Sequence, residues 1–148
     1  MNKYIRTYTI VEPLLVKDKL EVNKEYIAFF IPELALQFNY DQDSPYHDFD
    51  LWTHTFKVVC AVPRANINLM WAALLHDIAK PWSRSKNKKG YSNYINHEQF
   101  GAYMAEVILK RLGMPHFRID YICDVIKHHL EDGNALKPYD DMSKKLVK

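Results

Sequence analysis

The sequence predicts an all-α fold, and three observations carry that reading. Apolar residues recur at helical spacing through most of the chain. Residues 67–79, INLMWAALLHDIA, are apolar almost all the way round, as a central core helix is. Only four glycines occur among the 148 residues, which again favours long helices over a turn-rich sheet.

The elements follow in order. The first 22 residues, with Val11, Leu14, Leu15 and Val16, form an arm that is either extended or helical. A helix is expected from about Asn23 through NKEYIAFFIPELALQF, kinked or divided at Pro32. The polar stretch NYDQDSPYHDFD reads as a loop, and Asp50 is placed to cap the helix LWTHTFKVVCAV, which halts near Pro63. The apolar helix 67–79 comes next and stops at Pro81. A polar loop follows, PWSRSKNKKGYSNYI. Asn96 looks like an N-cap, with Gln99 three residues on, opening HEQFGAYMAEVILKRL up to Gly113. A further helix, FRIDYICDVIKHHL, ends near Gly133, and PYDDMSKKLVK can start one short helix more. One domain over residues 1–148 is expected, with its core at about 24–132.

Composition narrows the function classes. A formal charge of +2 is too small to imply nucleic-acid binding by itself. No apolar run is long enough to span a membrane, and the N-terminal residues lack the apolar block of a signal peptide, so a cytoplasmic protein is expected. Cys60 and Cys123 sit in apolar helical patterns and read as reduced core thiols, with no disulfide-linked partner. The oligomeric state is left open.

The chemistry lies in the histidines. His76 and Asp77 interrupt the most apolar helix, and a buried carboxylate is costly unless it is paired or bound to a metal. His97 lies on the stripe His97, Phe100, Met104, Val107, Ile108, expected to face the core. His129 continues Ile122, Val125 and Ile126, His128 flanks that face, and His54 shares an edge with Val58 and Ala61. One such histidine is usually a hydrogen-bonded core residue. Five with a buried Asp favour a metal, and imidazole with carboxylate suits a borderline divalent ion: manganese, iron, nickel, cobalt or zinc. His47 and His116 fall in loops and read as solvated.

The order His54, His76-Asp77, His97, His128-His129 resembles the HD-domain metal-dependent phosphohydrolase superfamily. The longer stretches IPEL, SPYHDFDLWTHT, WAALLHDIAKP, NHEQFGAYMAEVILKRLGMP and VIKHHL are similar to the HD domain of bacterial tRNA nucleotidyltransferases, over about residues 31 to 130. The resemblance implies an HD-type helical bundle with its metal site between central helices. It implies His54, His76 and Asp77 as core ligands, with Asp77 bridging when two ions are present. His97 and His129, with His128 beside them, would complete a second site. It also implies that Lys80 steadies a phosphate, and that a final Asp beyond the last histidine completes the ligand set; Asp132, Asp140 and Asp141 are the candidates. Ala79 stands where many members have glycine. Before residue 31 there is no Gly-Ser followed by a paired-Asp motif, so CCA addition is not expected and a stand-alone HD domain is.

Such a ligand set leads to phosphoester hydrolysis, through one or two ions that lower the pKa of a water and neutralise phosphoryl oxygens. His128, if not a ligand, is the expected leaving-group acid. Arg84, Lys86, Lys88 and Lys89, within six positions after the metal helix, are candidates to hold further phosphates, and Trp82, Tyr91 and Tyr94 to stack on a base. The family branch implies nucleotide or nucleic-acid-end substrates, with 2′,3′-cyclic phosphodiesterase and phosphatase activity. Two alternatives stand beside it: a hydrolase of free (deoxy)nucleotides, and a non-catalytic HD module that binds a nucleotide or protein.

Overall fold

The computed structural model describes residues 6–43 and 50–143. They form helices α1 (Tyr8–Val11), α2 (Lys17–Leu20), α3 (Lys24–Phe30), α4 (Leu51–Ala61), α5 (Ile67–Leu75), α6 (His97–Arg111), α7 (His116–Lys127) and α8 (Lys137–Met142). One antiparallel hairpin, β1 (Arg84–Lys86) and β2 (Ser92–Tyr94), accompanies them. The all-α prediction holds apart from that hairpin, which lies in the stretch read as a polar loop. Its tip carries Gly90 at φ 85°, a conformation that favours glycine.

From Tyr8 onward the N-terminal arm is helical, and it belongs to the core. Val11, Leu15 and Leu20 are fully buried, and Tyr8 N donates to Leu112 O at the end of α6. Pro32 does divide the next segment: α3 ends at Phe30, and residues Pro32–Gln37 continue as a 3₁₀ turn. Asp50 caps α4, Oδ1 accepting from Thr53 N at 2.8 Å, while Oδ2 accepts from Asn39 N.

Helix α5 is the centre of the molecule. Every residue from Leu69 to Leu75 is buried, and α5 packs against both α4 and α7. Its regular part ends at Leu75, two residues before Asp77. From there the backbone tightens to i→i+3 bonds, Ile78 N to Leu75 O and Lys80 N to Asp77 O, and enters a 3₁₀ turn at Lys80–Trp82. The Asp expected within the helix therefore sits in the turn that closes it.

Helix α6 corrects a second expectation. Phe100 and Val107 are 42% and 47% exposed, and the buried face runs through His97, Gly101, Ala105, Ile108 and Leu109. Gly101 packs closely there, where an added Cβ would lie at contact distance, 3.5 Å, from His76 O. Phe100, Tyr103 and Val107 therefore fall on the outer side. Asn96 is no side-chain cap either. It takes a left-handed φ of 60° and makes no capping hydrogen bond. His116 is the first residue of α7 and exposed, while His47 lies outside the described residues.

Candidate metal centre

Four imidazoles and two carboxylates meet between the ends of these helices. His54 comes from the second turn of α4, and His76 and Asp77 from the turn after α5. His97 opens α6, His129 lies in the turn after α7, and Asp140 sits in α8. All are 6% exposed or less. The ligand atoms fall into two groups, His54, His76, Asp77 and Asp140, and Asp77, His97 and His129, each within 4.8 Å of one another. Asp77 belongs to both.

Each ring is aimed by its other nitrogen. Nδ1 donates to Ala73 O in His76, to Ile126 O in His129 and to Tyr94 O in His97, every time three residues back, and to Ser143 O in His54. Ala73 and Ile126 belong to the last turns of α5 and α7, where the regular i→i+4 ladder runs out, although Ile126 O also accepts from His129 N. Ending each helix one turn early thus supplies the acceptor that orients the histidine following it. With Nδ1 engaged, Nε2 is the atom each ring offers to the centre, the arrangement that fixes metal-ligating histidines.

Asp77 divides its oxygens between the groups. Oδ2 is 3.1 Å from His76 Nε2 and 3.5 Å from His54 Nε2. Oδ1 is 3.1 Å from His97 Nε2 and 3.8 Å from His129 Nε2. Asp140 Oδ1 lies 2.8 Å from His54 Nε2 and 3.1 Å from His76 Nε2. Burial works against the charge on Asp77, but His76 and Lys80 outweigh it and hold the carboxyl well below its usual range; His76 and His54 do the same for Asp140. Burial also disfavours a charged His76, yet Asp77 and Asp140 push it up to about 10. His129 moves the other way, to about 4, through burial and the neighbouring charge of His76.

These residues fit a divalent ion. Imidazole nitrogens and carboxylate oxygens converge in both groups, and buried His97 Nε2 makes no hydrogen bond among the described residues even beside Asp77 Oδ1. A cation among them would satisfy both donor types at once.

Residues 51–147 match the family model described as the HD domain. The chain belongs to the HD domain family. It is 27% identical over 110 residues to the CC-adding tRNA nucleotidyltransferase of Thermus thermophilus, covering 71% of this chain and 25% of that protein. It is 28% identical over 90 residues to the A-adding tRNA nucleotidyltransferase of Deinococcus radiodurans, 57% of this chain and 21% of that one. The Multifunctional CCA protein of Methylobacillus flagellatus is 30% identical over 102 residues, 67% of this chain and 24% of that protein. The chain thus spans about a quarter of the length of these relatives. No solved structure matches it with significance. HD domains are in general metal-dependent hydrolases, and this HD domain has buried His and Asp groups able to hold the ion.

Of the residues singled out by sequence, His54, His76, Asp77, His97 and His129 are brought together. His128 is set apart. Its side chain is 40% exposed, with Nδ1 2.7 Å from Glu131 and Nε2 3.7 Å from Asp124. Ending α7 at Lys127 explains the split: the turn carries His129 inward and leaves His128 on the surface, where it neither joins the ligands nor reaches their centre. Among the three candidate aspartates, Asp140 reaches the cluster. Asp132 is exposed, and Asp141 points to Lys137 Nζ at 2.7 Å.

Lys80 is buried at 5% exposure, not an exposed helix-end lysine. Its Nζ lies 3.6 Å from Asp77 Oδ2, bonds Gln42 Oε1 at 2.7 Å and stands over the Tyr94 ring. Two of the loop cations are engaged in holding the hairpin. Arg84 donates to Ser92 Oγ and stacks on Tyr40, and both Arg84 and Lys86 pair with Asp43. Lys88 and Lys89 stand exposed at the tip. Cys60 and Cys123 are free thiols whose pKa burial raises, to about 11 for Cys123. No helix among the described residues is long and apolar enough to cross a membrane.

Proposed function

We propose that this HD domain is a metal-dependent phosphohydrolase acting on phosphomonoesters or phosphodiesters of nucleotides or nucleic-acid ends. The observation that carries the reading is the set of four rings, each locked through Nδ1, presenting Nε2 to two carboxylates. A divalent ion held there supplies positive charge against phosphoryl oxygens and lowers the pKa of a water. The chain's own part is to orient and to exclude solvent. His54, His76, Asp77 and Asp140 hold one position, and Asp77, His97 and His129 a second. Asp77 spans the two with separate oxygens, the role expected of a bridging carboxylate. Lys80 pairs with Asp77 and its ammonium is suited to steady a phosphoryl oxygen. Buried Asp140 favours a catalyst over a binding module, because it supplies the acidic ligand that a non-catalytic module need not keep.

Two of the relatives are named tRNA nucleotidyltransferases, which supports nucleic-acid ends as the substrate class. Exposed Trp82, in the turn that follows Lys80, and exposed Lys88, Lys89 and Tyr91 of the hairpin suit a base and a phosphodiester backbone. The test is hydrolysis by protein reconstituted with manganese, iron, nickel, cobalt or zinc. Mononucleotides, 2′,3′-cyclic nucleotides and 2′- or 3′-phosphorylated oligonucleotides are offered in parallel. Turnover of cyclic or terminal phosphates is expected. Turnover of 5′-(deoxy)mononucleotides alone would move the assignment to a free-nucleotide hydrolase, and no turnover with any ion would end it.

A further inference from the structure

We propose that Gln42 is a substrate-binding residue of this centre: its Nε2 donates to a non-bridging phosphoryl oxygen while its Oε1 holds Lys80. The inference rests on the phosphohydrolase reading above. Gln42 is 1% exposed, and its Oε1 accepts from Lys80 Nζ at 2.7 Å. An ammonium only donates, so this bond fixes which end of the amide is oxygen. Nε2 then carries two N–H groups and has no hydrogen-bond partner among the described residues. A buried donor without an acceptor is costly to keep unless the acceptor comes from a ligand or water.

The position selects the kind of acceptor. Lys80 Nζ is 3.6 Å from Asp77 Oδ2, so the amide is linked through Lys80, by one hydrogen bond and one ion pair, to the carboxylate shared by both ligand groups. An ammonium and an unpaired amide N–H side by side favour an anionic oxygen, because both give positive character and neither accepts. The amide is also held in advance. Tyr94 Oη donates to Gln42 O at 2.7 Å, the Tyr94 ring faces Lys80, and Asp43 O accepts from Ser92 N of β2. Hairpin and preceding segment thus fix Gln42 from both sides, so a ligand would not have to order it.

Gln42→Glu separates the two jobs of the amide. A carboxylate still accepts from Lys80 but donates nothing and repels phosphate. Gln42→Met removes donor and acceptor without adding charge. Each metal-loaded variant is compared with wild type for inorganic phosphate affinity by calorimetry, for KM and kcat on an accepted ester, and for metal content. Phosphate affinity is expected to fall at least about tenfold in both variants, the scale of one lost hydrogen bond to a charged oxygen. KM should rise by a similar factor, with metal content unchanged. Wild-type phosphate affinity in either variant overturns the proposal, since the amide would then only position Lys80 or do neither job. If Gln42→Glu fails to fold, Gln42→Met decides alone by the same criterion. A wild type that binds phosphate but hydrolyses no ester removes the catalytic reading and leaves this subsite to stand on the phosphate result. A loaded wild type without phosphate affinity overturns it.

Discussion

The half of the centre built on His54 and His76 and the half built on His97 and His129 use the same ring, locked in the same way, against different charge. In the first, two imidazoles face a carboxylate oxygen each from Asp77 and Asp140, at 2.8 to 3.5 Å. In the second, two imidazoles share Asp77 Oδ1, at 3.1 and 3.8 Å. The difference appears in the protons. His76 is pushed up to about 10 and holds a proton at neutral pH, whereas His129 is pushed down to about 4 and is neutral. Asp77 first and Asp140 after it put the positive charge on His76, and burial together with that charge keeps His129 neutral before an ion arrives.

The largest test of that contrast is removal of the shared group against removal of the private one. Asp77→Ala is expected to empty both halves and to cut turnover by at least about a thousandfold, as loss of the charge stabilisation at the reacting phosphoryl group would. Asp140→Ala should strip the ion from the His54–His76 half alone. Elemental analysis after reconstitution reads both. Equal losses in the two variants would show that the halves are not separable.

A smaller effect follows from the His76 proton. An ion needs its Nε2 unprotonated, so binding there must release one proton, and affinity should fall about tenfold for each pH unit lost below the folded-state pKa. Occupation of the His97–His129 half releases none from His129. Calorimetry in two buffers of different ionisation heat, on wild type and on Asp140→Ala, measures the difference. The sign for the metal-free fold follows from the same shifts. The His76 contribution is full below its ordinary value of 6.5 and is lost as pH rises through about 10, while the contributions of Asp77 and Asp140 are lost on acidification below the ordinary carboxylate range. Metal-free protein should therefore lose thermal stability as the solution becomes more alkaline, with loaded protein protected.

The smallest expected effect is that of His128→Ala. Its side chain is 40% exposed and faces Glu131 and Asp124, so metal content should not change and stability should move by no more than about 0.5 kcal/mol. Loss of an ion in this variant would restore His128 to the ligand set.

His54, His76, Asp77, His97 and His129 were legible in the sequence because a polar residue within an apolar helical pattern is conspicuous. Asp140 was only one of three candidates that the resemblance offered, and nothing separated it from Asp132 and Asp141, since α8 is six residues long and offers too few apolar positions to reveal a face. Its signal lies in the spacing of Leu136, Asp140 and Ser143, all buried, against Asp141, which pairs with Lys137 on the outside. The separation of His128 from His129 depends on where α7 stops, and helix ends are the least determined part of a periodic pattern. The hairpin escaped notice because Arg84–Lys86 is exposed throughout and shows no apolar alternation. Gln42 gave no signal at all. A polar residue in a polar stretch becomes exceptional only when tertiary packing buries it.

The Nδ1 bonds also set an order of assembly. His76, His129 and His97 take carbonyls three residues behind them, so a chain still being synthesised can aim each as soon as its own turn has formed. His54 takes the carbonyl of Ser143, 89 positions ahead of it. The first of these four histidines to leave the ribosome is thus the last to be oriented, and it waits for the same short helix that delivers Asp140. A nascent chain ending at residue 135 would own three aimed rings and one acidic ligand. Docking of α8 against α4 supplies the missing carboxylate and the missing anchor in one step, so the centre is finished by the last stretch of described chain to emerge.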